Sequence, residues 1–268
     1  MPADSRCVAA GFRRGGKRLE SPDGVEDPDR TQRLRRALLA RIHRRHQTRR
    51  VEVELGGRTL VFERIADPDR VLDEVAREED RLEKLDGTRR RADLLRLPYW
   101  AELWDSSVGL ARHLHARGLV RPGLAVLDLG CGMGLAGCAA AAAGGQVLFA
   151  DIETEALLFA ALNSLAWRGS VRTRRLNWRT DRLAERFDLI LGADILYEKE
   201  QWPWLESFWA VHLAEGGRVL LGEPMRPSGE SFLEWIGARP WDVAVSAEKT
   251  PGRPVRVIEM TRIVGRAN

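Results

Sequence analysis

The stretch VLDLGCGMGLAG, residues 126–137, decides the fold. Apolar residues run without alternation into glycines at Gly130, Gly132, Gly134 and Gly137, and an alanine-rich run follows to Ala143. Continuous apolar content is what a strand buried on both faces requires, as in a parallel sheet. Glycines are wanted at its end because the backbone must turn sharply there and let a ligand come close. The helix beginning beyond them offers unpaired N–H groups and a positive dipole end. The motif therefore points to a nucleotide-like ligand at the carboxyl end of a buried strand.

Working outward, QVLFAD (146–151), FDLILGAD (187–194) and GRVLLGEP (217–224) share the texture of AVLDLG (125–130). Helical patterns over 134–143, 154–167 and 200–213 separate them. This alternation predicts an open, doubly wound α/β sheet. WDVAVSAEK (241–249) and VRVIEMTRI (255–263) alternate in polarity around Pro251, Gly252 and Pro254, which predicts a terminal antiparallel pair. Upstream, VEVELGGRTLVFERI (51–65) reads as a hairpin turning at Gly56-Gly57. Residues 67–90 place Val71, Leu72, Val75, Leu82 and Leu85 on a helical period.

The chain has 268 residues, 44% apolar and 31% charged. That suits one large domain, or a domain with an appendage, whose core needs no disulfide or metal staple. Cys7, Cys131 and Cys138 have no CxxC or CxH spacing, so no metal site is expected. No apolar run approaches the roughly 18 residues of a membrane span. No apolar segment follows the first charges as in a secretory signal. The expectation is a soluble cytoplasmic protein, acting as a monomer.

The net charge of +4 averages two unlike parts: residues 1–50 carry 14 basic against 6 acidic side chains, and the remainder 29 against 33. Residues 1–30 read as a disordered basic arm. TQRLRRALLARIHRRHQTRR (31–50) has no acid and spaces Leu34, Leu38 and Ile42 by four, which predicts a basic amphipathic helix. Such a helix either contacts nucleic acid or an acidic protein, or docks its apolar stripe on the main domain. The second reading is preferred, because no aromatic residues interleave the arginines to stack on bases.

Gly132, Gly134 and Gly137 also satisfy GxGxxG, and Asp151 ends the next strand, as in a dinucleotide site. Two features argue otherwise. Asp128, at the strand tip, would repel a pyrophosphate and welcome a cation. Gly132 also comes two residues too late for the dinucleotide turn. S-adenosylmethionine meets both conditions: it carries a sulfonium and an ammonium, has no phosphate, and presents a ribose diol to an acid. The plainer alternative is that Asp128 caps the loop and Asp151 the following helix.

Residues 98–262 resemble the class I, seven-stranded S-adenosylmethionine-dependent methyltransferases. More narrowly they resemble the small protein-lysine methyltransferases with a D-x-x-Y motif after the fourth strand. The resemblance is carried by LPYWAELWDSSVGLARHL (97–114), VLDLGCGMGLAG, FADIE (149–153), LNW (176–178) and FDLILGADILYE (187–198). PYWAELW and LLGEPMRP (220–227) are most similar to the branch acting on the β-subunit of electron-transfer flavoprotein, although Asp105-Ser106-Ser107 stand where that branch usually has a glycine pair.

The resemblance implies an α/β, doubly wound, mostly parallel seven-stranded Rossmann-like sheet with an antiparallel C-terminal strand. Taken with the composition and periodicity of the N-terminal part, which matches nothing in the family core over 1–50, the expected division is the arm 1–30, a helix, hairpin and helix extension 31–95, and a methyltransferase domain 96–268. It implies that Gly130, Cys131 and Gly132 line the cofactor's methionine and ribose, with Gly134 and Ile152 in the same wall. Asp151 is expected to bond the ribose hydroxyls, Asn177 and Trp178 to flank the adenine, Trp104 to close over the cofactor, and Ala193 to contribute backbone. Asp194 and Tyr197 are the catalytic candidates, facing a protein substrate.

Methyl transfer to a lysine is an in-line displacement that needs no metal and no covalent intermediate, only an aligned neutral amine. A lysine ammonium, with pKa near 10.4, must first lose a proton. Asp194 would orient the amine, but an unperturbed carboxylate is too acidic to serve as a strong base. Tyr197 offers a hydroxyl or an aromatic wall for a cation. Trp202, Trp204, Phe208 and Trp209 read as core, and Glu223 either reaches the site mouth or caps the next helix. The competing function is a small-molecule methyltransferase of the same fold. Base methylation of nucleic acid is less favoured, since ADILY lacks the prolines of NPPY or DPPY. A cofactor-binding protein without catalysis is a third reading.

Overall fold

The computed structural model describes residues 28–86 and 98–263. An N-terminal extension holds helix α1 (Pro28–Ile42), the hairpin β1 (Thr48–Glu54) and β2 (Thr59–Ile65), and helix α2 (Pro68–Asp86). A short 3-10 turn, Tyr99–Ala101, precedes α3 (Asp105–Arg117). Then follow β3 (Ala125–Leu129), α4 (Leu135–Ala142), β4 (Gln146–Asp151), α5 (Thr154–Asn163), β5 (Val171–Arg175) and β6 (Phe187–Ala193). The chain continues through α6 (Trp202–His212), β7 (Leu213–Glu223), α7 (Pro227–Gly237), β8 (Trp241–Glu248) and β9 (Val255–Arg262).

The seven-stranded sheet has the order β5-β4-β3-β6-β7-β9-β8. Strands β3 to β7 pair in parallel, and β9 runs antiparallel to both β7 and β8. The expected mostly parallel sheet with a reversed last strand is what forms. From β3 the chain builds outward through β4 and β5, then crosses to the other side with β6. Ligands in such sheets sit outside the carboxyl ends of the strands at that switch point.

Alternate residues of β3 feed the two sheet faces. Val126 joins the cluster under α3, α4 and α5, with Phe149, Phe159 and Leu191. Leu127 and Leu129 join the other, with Ile190, Phe208, Trp209 and Phe232. Burying each such side chain contributes about 1.5–3 kcal/mol. Trp202, Phe208 and Trp209 are core, while Trp204 is exposed.

Two expectations for the N-terminal region change. Residues 28–30, read as part of the arm, form the first turn of α1, and residues 1–27 lie outside the described residues. The basic helix does not continue to residue 50: it ends at Ile42, and β1 begins at Thr48. Pairing Val51 with Phe62 and Val53 with Leu60 buries Val53, Leu60 and Phe62. That burial outweighs a local helical pattern built from arginines. The helix expected over 67–90 is described to Asp86, with 87–90 outside the described residues. Helix α1 docks Leu38, Leu39 and Ile42 on the core, while Leu34 stays exposed.

Candidate active site

A cavity of about 400 Å³ opens at the carboxyl ends of β3, β4 and β6, a size typical of small-molecule sites. The glycine loop is fixed between the two strands: Cys131 N–H donates to Ala150 O at 3.1 Å, and Gly134 N–H to Cys131 O at 2.8 Å. Gly134 caps α4 with φ 91°, a left-handed conformation that costs glycine little. A Cβ on Gly137 would lie 2.3 Å from Phe149 Cε1, so only glycine lets α4 settle onto β4.

Of the residues singled out from the sequence, Trp104, Gly130, Cys131, Gly132, Gly134, Asp151, Ile152, Asn177, Trp178, Ala193, Asp194 and Tyr197 all border this cavity. Asp128 does not, and its expected place facing a ligand is corrected. Its carboxylate turns under the loop, where Oδ2 accepts the Gly137 N–H at 2.8 Å, and the residue is 1% exposed. The local reason is the unpaired N–H of the first turn of α4, which a buried acceptor satisfies. Burial pushes the carboxyl up to about 7, against the pull of that hydrogen bond.

Asp151, at the end of β4, does face the cavity. Its Oδ2 accepts from Gly132 N–H and its Oδ1 from Glu153 N–H, each at 2.9 Å. Burial pushes it up to about 6, and these hydrogen bonds hold it back. Each carboxylate oxygen keeps a second lone pair for a ligand hydroxyl. Beyond β5, Asn177 is set by its N–H to Asp181 at 2.9 Å, and the Trp178 indole donates to Gln201 at 3.2 Å. Trp104 donates its indole N–H to Tyr99 O at 2.8 Å.

On the other side, Asp194 follows β6 in a left-handed conformation (φ 57°), its N–H bonded to Gly222 O at 2.8 Å. Burial raises its carboxyl, opposed by a two-pronged pair with Arg226. Tyr197 stands at the mouth against Tyr99, ring centres 5.5 Å apart. Partial burial, with Glu198 and other acids nearby, pushes its phenol up to about 12, so it stays protonated at neutral pH.

Arg226 is the residue the sequence reading passed over. Its only signal is the quoted GEPMRP segment, which does not say where the chain returns. Glu223 in that segment is buried and accepts the Arg226 N–H at 2.9 Å, so it fixes the residue that pairs with Asp194, and no side-chain hydrogen bond caps α7. Glu102, in the cavity wall, was also missed; Arg64 of β2 holds it at 2.9 Å. Asn163 ties the same hairpin to the glycine loop, donating to Glu63 O and Met133 O at 3.0 and 3.1 Å. Asp105, where a glycine pair was noted as usual, instead pins the β8–β9 turn through Arg253 N–H at 2.9 Å.

The wall's charge is one-sided. Glu102, Asp151, Glu153, Asp194 and Glu198 line it, against Arg179 alone among the described lining residues. Such a cavity favours a cation and repels phosphates. No group of three or more His, Cys, Asp or Glu is placed to hold a metal among the described residues. No described helix is long and apolar enough to cross a membrane.

A family model described as lysine methyltransferase matches residues 99–238. The chain is 34% identical over 142 residues to the electron transfer flavoprotein beta subunit lysine methyltransferase of Danio rerio, spanning 50% of this chain and 52% of that one. It is 34% identical over 140 residues to protein N-lysine methyltransferase METTL21A of Xenopus tropicalis, spanning 49% and 63%. The chain thus spans about half the length of the curated relatives first matched. Among solved structures, a ribosomal protein L11 methylase from Lactobacillus delbrueckii subsp. bulgaricus superposes with TM-score 0.54 at 19% identity, over 79% of this chain and 98% of that one. That likeness bears on the fold.

Proposed function

Since the chain belongs to the lysine methyltransferase family, we propose that it transfers a methyl group from S-adenosylmethionine to a lysine side-chain amine of a protein. The observation that carries this is the acidic, aromatic cavity at the switch point, with five carboxylates against one guanidinium. Both the proposed donor and a lysine are cations. The residues present fit the donor. Gly130, Cys131 and Gly132 offer backbone to its methionine part, Asp151 offers lone pairs to the ribose diol, and Asn177 and Trp178 flank the adenine. Trp104 supplies an aromatic wall suited to a sulfonium. Bound there, S-adenosylmethionine supplies an electrophilic methyl group on sulfur.

The chain's own part is placement. Ala193 and Asp194 end the strand beside the glycine loop. Asp194 accepts a hydrogen bond from the incoming amine and aligns it, and Tyr197 with Tyr99 forms an aromatic collar for the lysine stem. The reading includes a cytoplasmic monomer; Cys131 and Cys138 are free thiols, as a reducing compartment permits. The β-subunit of electron transfer flavoprotein, named in the first relatives, is the first substrate to try.

The test is incubation with labelled S-adenosylmethionine, first with that β-subunit and then with a cell lysate. Label should appear in protein and hydrolyse to methyl-lysine. Label confined to RNA or small molecules would favour the competing methyltransferase reading instead.

A further inference from the structure

Asp194 has a partner fixed at three points. Arg226 donates through Nη1 and Nη2 to the two carboxylate oxygens, the Nη2 contact at 3.0 Å. Its backbone N–H is held by Glu223, and its guanidinium carbon lies 5.7 Å from the centre of the Trp104 ring. Met225, just before it, takes a left-handed φ of 54° in the turn that brings the guanidinium back to the end of β6. Asp194 borders the cavity and Arg226 does not. The guanidinium lies over the Trp104 ring and keeps 34% of its side-chain surface exposed.

A bare carboxylate beside a lysine stabilises the ammonium and raises its pKa. The reaction proposed above needs the neutral amine. The other charged groups facing the cavity make the difficulty worse. Asp151 and Glu153 after β4, Glu102 ahead of α3 and Glu198 beyond Tyr197 are all acids. The one cation among the described lining residues, Arg179, lies beside the Trp204 ring at 5.6 Å. The remaining titratable groups of the wall, Tyr99, Tyr197 and Cys131, carry no positive charge in either form. Behind Asp194, Glu223 is matched by Arg256 at 3.0 Å.

Resting on the lysine reading, we infer that Arg226 is a positioning residue that sets the protonation state of the incoming amine. It offsets the charge of Asp194 through the two-pronged pair. The second lone pairs of the carboxylate stay free to accept a hydrogen bond from a neutral amine. The lysine gives its extra proton to water more readily on entry, because the paired carboxylate, the acid nearest the proposed amine position, no longer favours the ammonium over the amine. Asp194 then works as an acceptor that aims the nitrogen, with no need to act as a strong base.

The experiment is the pH profile of kcat, at saturating acceptor and donor, for the unsubstituted chain, Arg226→Gln and Arg226→Lys, since kcat reports groups in the bound complex. The acceptor is the electron transfer flavoprotein β-subunit, or the strongest labelled lysate protein if that subunit takes no label. S-adenosylhomocysteine affinity, measured by calorimetry, checks that each variant is folded. The glutamine keeps a hydrogen-bond donor and removes the charge. Its acid limb should move to higher pH by about one to two units, so that most of the rate lost at pH 7 returns near pH 9–10. Arg226→Lys keeps the charge and should keep the limb in place, whatever its absolute rate.

A loss by the same factor at every pH in Arg226→Gln would reduce Arg226 to a structural support and overturn the inference. A limb moved to lower pH, or a faster enzyme, would mean that Arg226 blocks the site, and would overturn it too. If Arg226→Gln does not fold, the limb of Arg226→Lys decides, and an alkaline shift there refutes the role. If the unsubstituted chain labels no protein, the lysine reading itself falls and takes this inference with it.

Discussion

Asp151 and Asp194 stand on either side of the switch point, each 8% exposed and each raised by burial. What holds them differs. Asp151 is held by two backbone N–H groups, from Gly132 and Glu153, which belong to the loop and cannot leave it. They fix its direction without cancelling its charge. Asp194 is held by the guanidinium of Arg226, a full counter-charge carried on a side chain from a separate loop. The lesson is that one half of the cavity is rigid scaffold for a ligand that wants acceptors. The other half is tuned by charge and can be retuned by one substitution.

The comparison breaks first at Asp194. Asp194→Ala, which removes the acceptor that aims the amine, should cut turnover by about 10²-fold, while calorimetry with S-adenosylhomocysteine finds its affinity within about twofold of the original. A parallel loss of affinity would merge the two halves into one. Asp151→Ala should do the opposite and lower that affinity by roughly 10–100-fold, the worth of a charged hydrogen bond. Unchanged binding would remove Asp151 from the cofactor's ribose.

The buried acids also make a stability prediction whose sign follows from burial. Asp128 at about 7 and Asp151 at about 6 both hold protons more tightly folded than unfolded. Their contribution is full below about pH 4 and is lost as pH rises through 6 and then 7. Urea midpoints of the ligand-free chain should therefore fall between pH 5 and 8. Asp128→Asn keeps an acceptor for the Gly137 N–H and should flatten that fall; parallel curves for the two proteins would show that Asp128 does not titrate there. The smallest effect is expected at Arg64→Ala. This frees Glu102 of a partly exposed ion pair worth under about 1 kcal/mol, so S-adenosylhomocysteine affinity should drop no more than a few-fold.

What was legible in the chain followed burial. The strands β3, β4, β6 and β7 were readable because each is covered on both faces and leaves a continuous apolar run. β5 was not, since VRTRR is an edge strand hydrogen-bonded on one side only, with Thr173, Arg174 and Arg175 exposed. Charged edges of this kind guard against strand addition, and they erase the signal used to find strands. The basic run to residue 50 misled for a related reason. Helical spacing is a local property, whereas Arg50 pairs with Glu63 and Thr48 with Ile65, thirteen and seventeen residues away. Asp128 was placed on the right strand end but given the wrong direction, because the donor that claims it, Gly137 N–H, exists only once α4 has formed.

The parallel core of the sheet and the glycine loop could be read from the chain alone, because each is written in a few adjacent residues with a steric or burial requirement of its own; the more distant cavity residues Trp104, Trp178 and Tyr197 came from the family resemblance, and Glu102 was missed. It took the folded chain to bring distant groups together: Asp194 with Arg226, Glu102 with Arg64, and the Glu63 carbonyl with the Asn163 amide, separated by 32, 38 and 100 residues. No periodicity encodes such pairs. They depend on where a loop leaving one strand comes back beside another, and that is fixed by packing of the whole sheet.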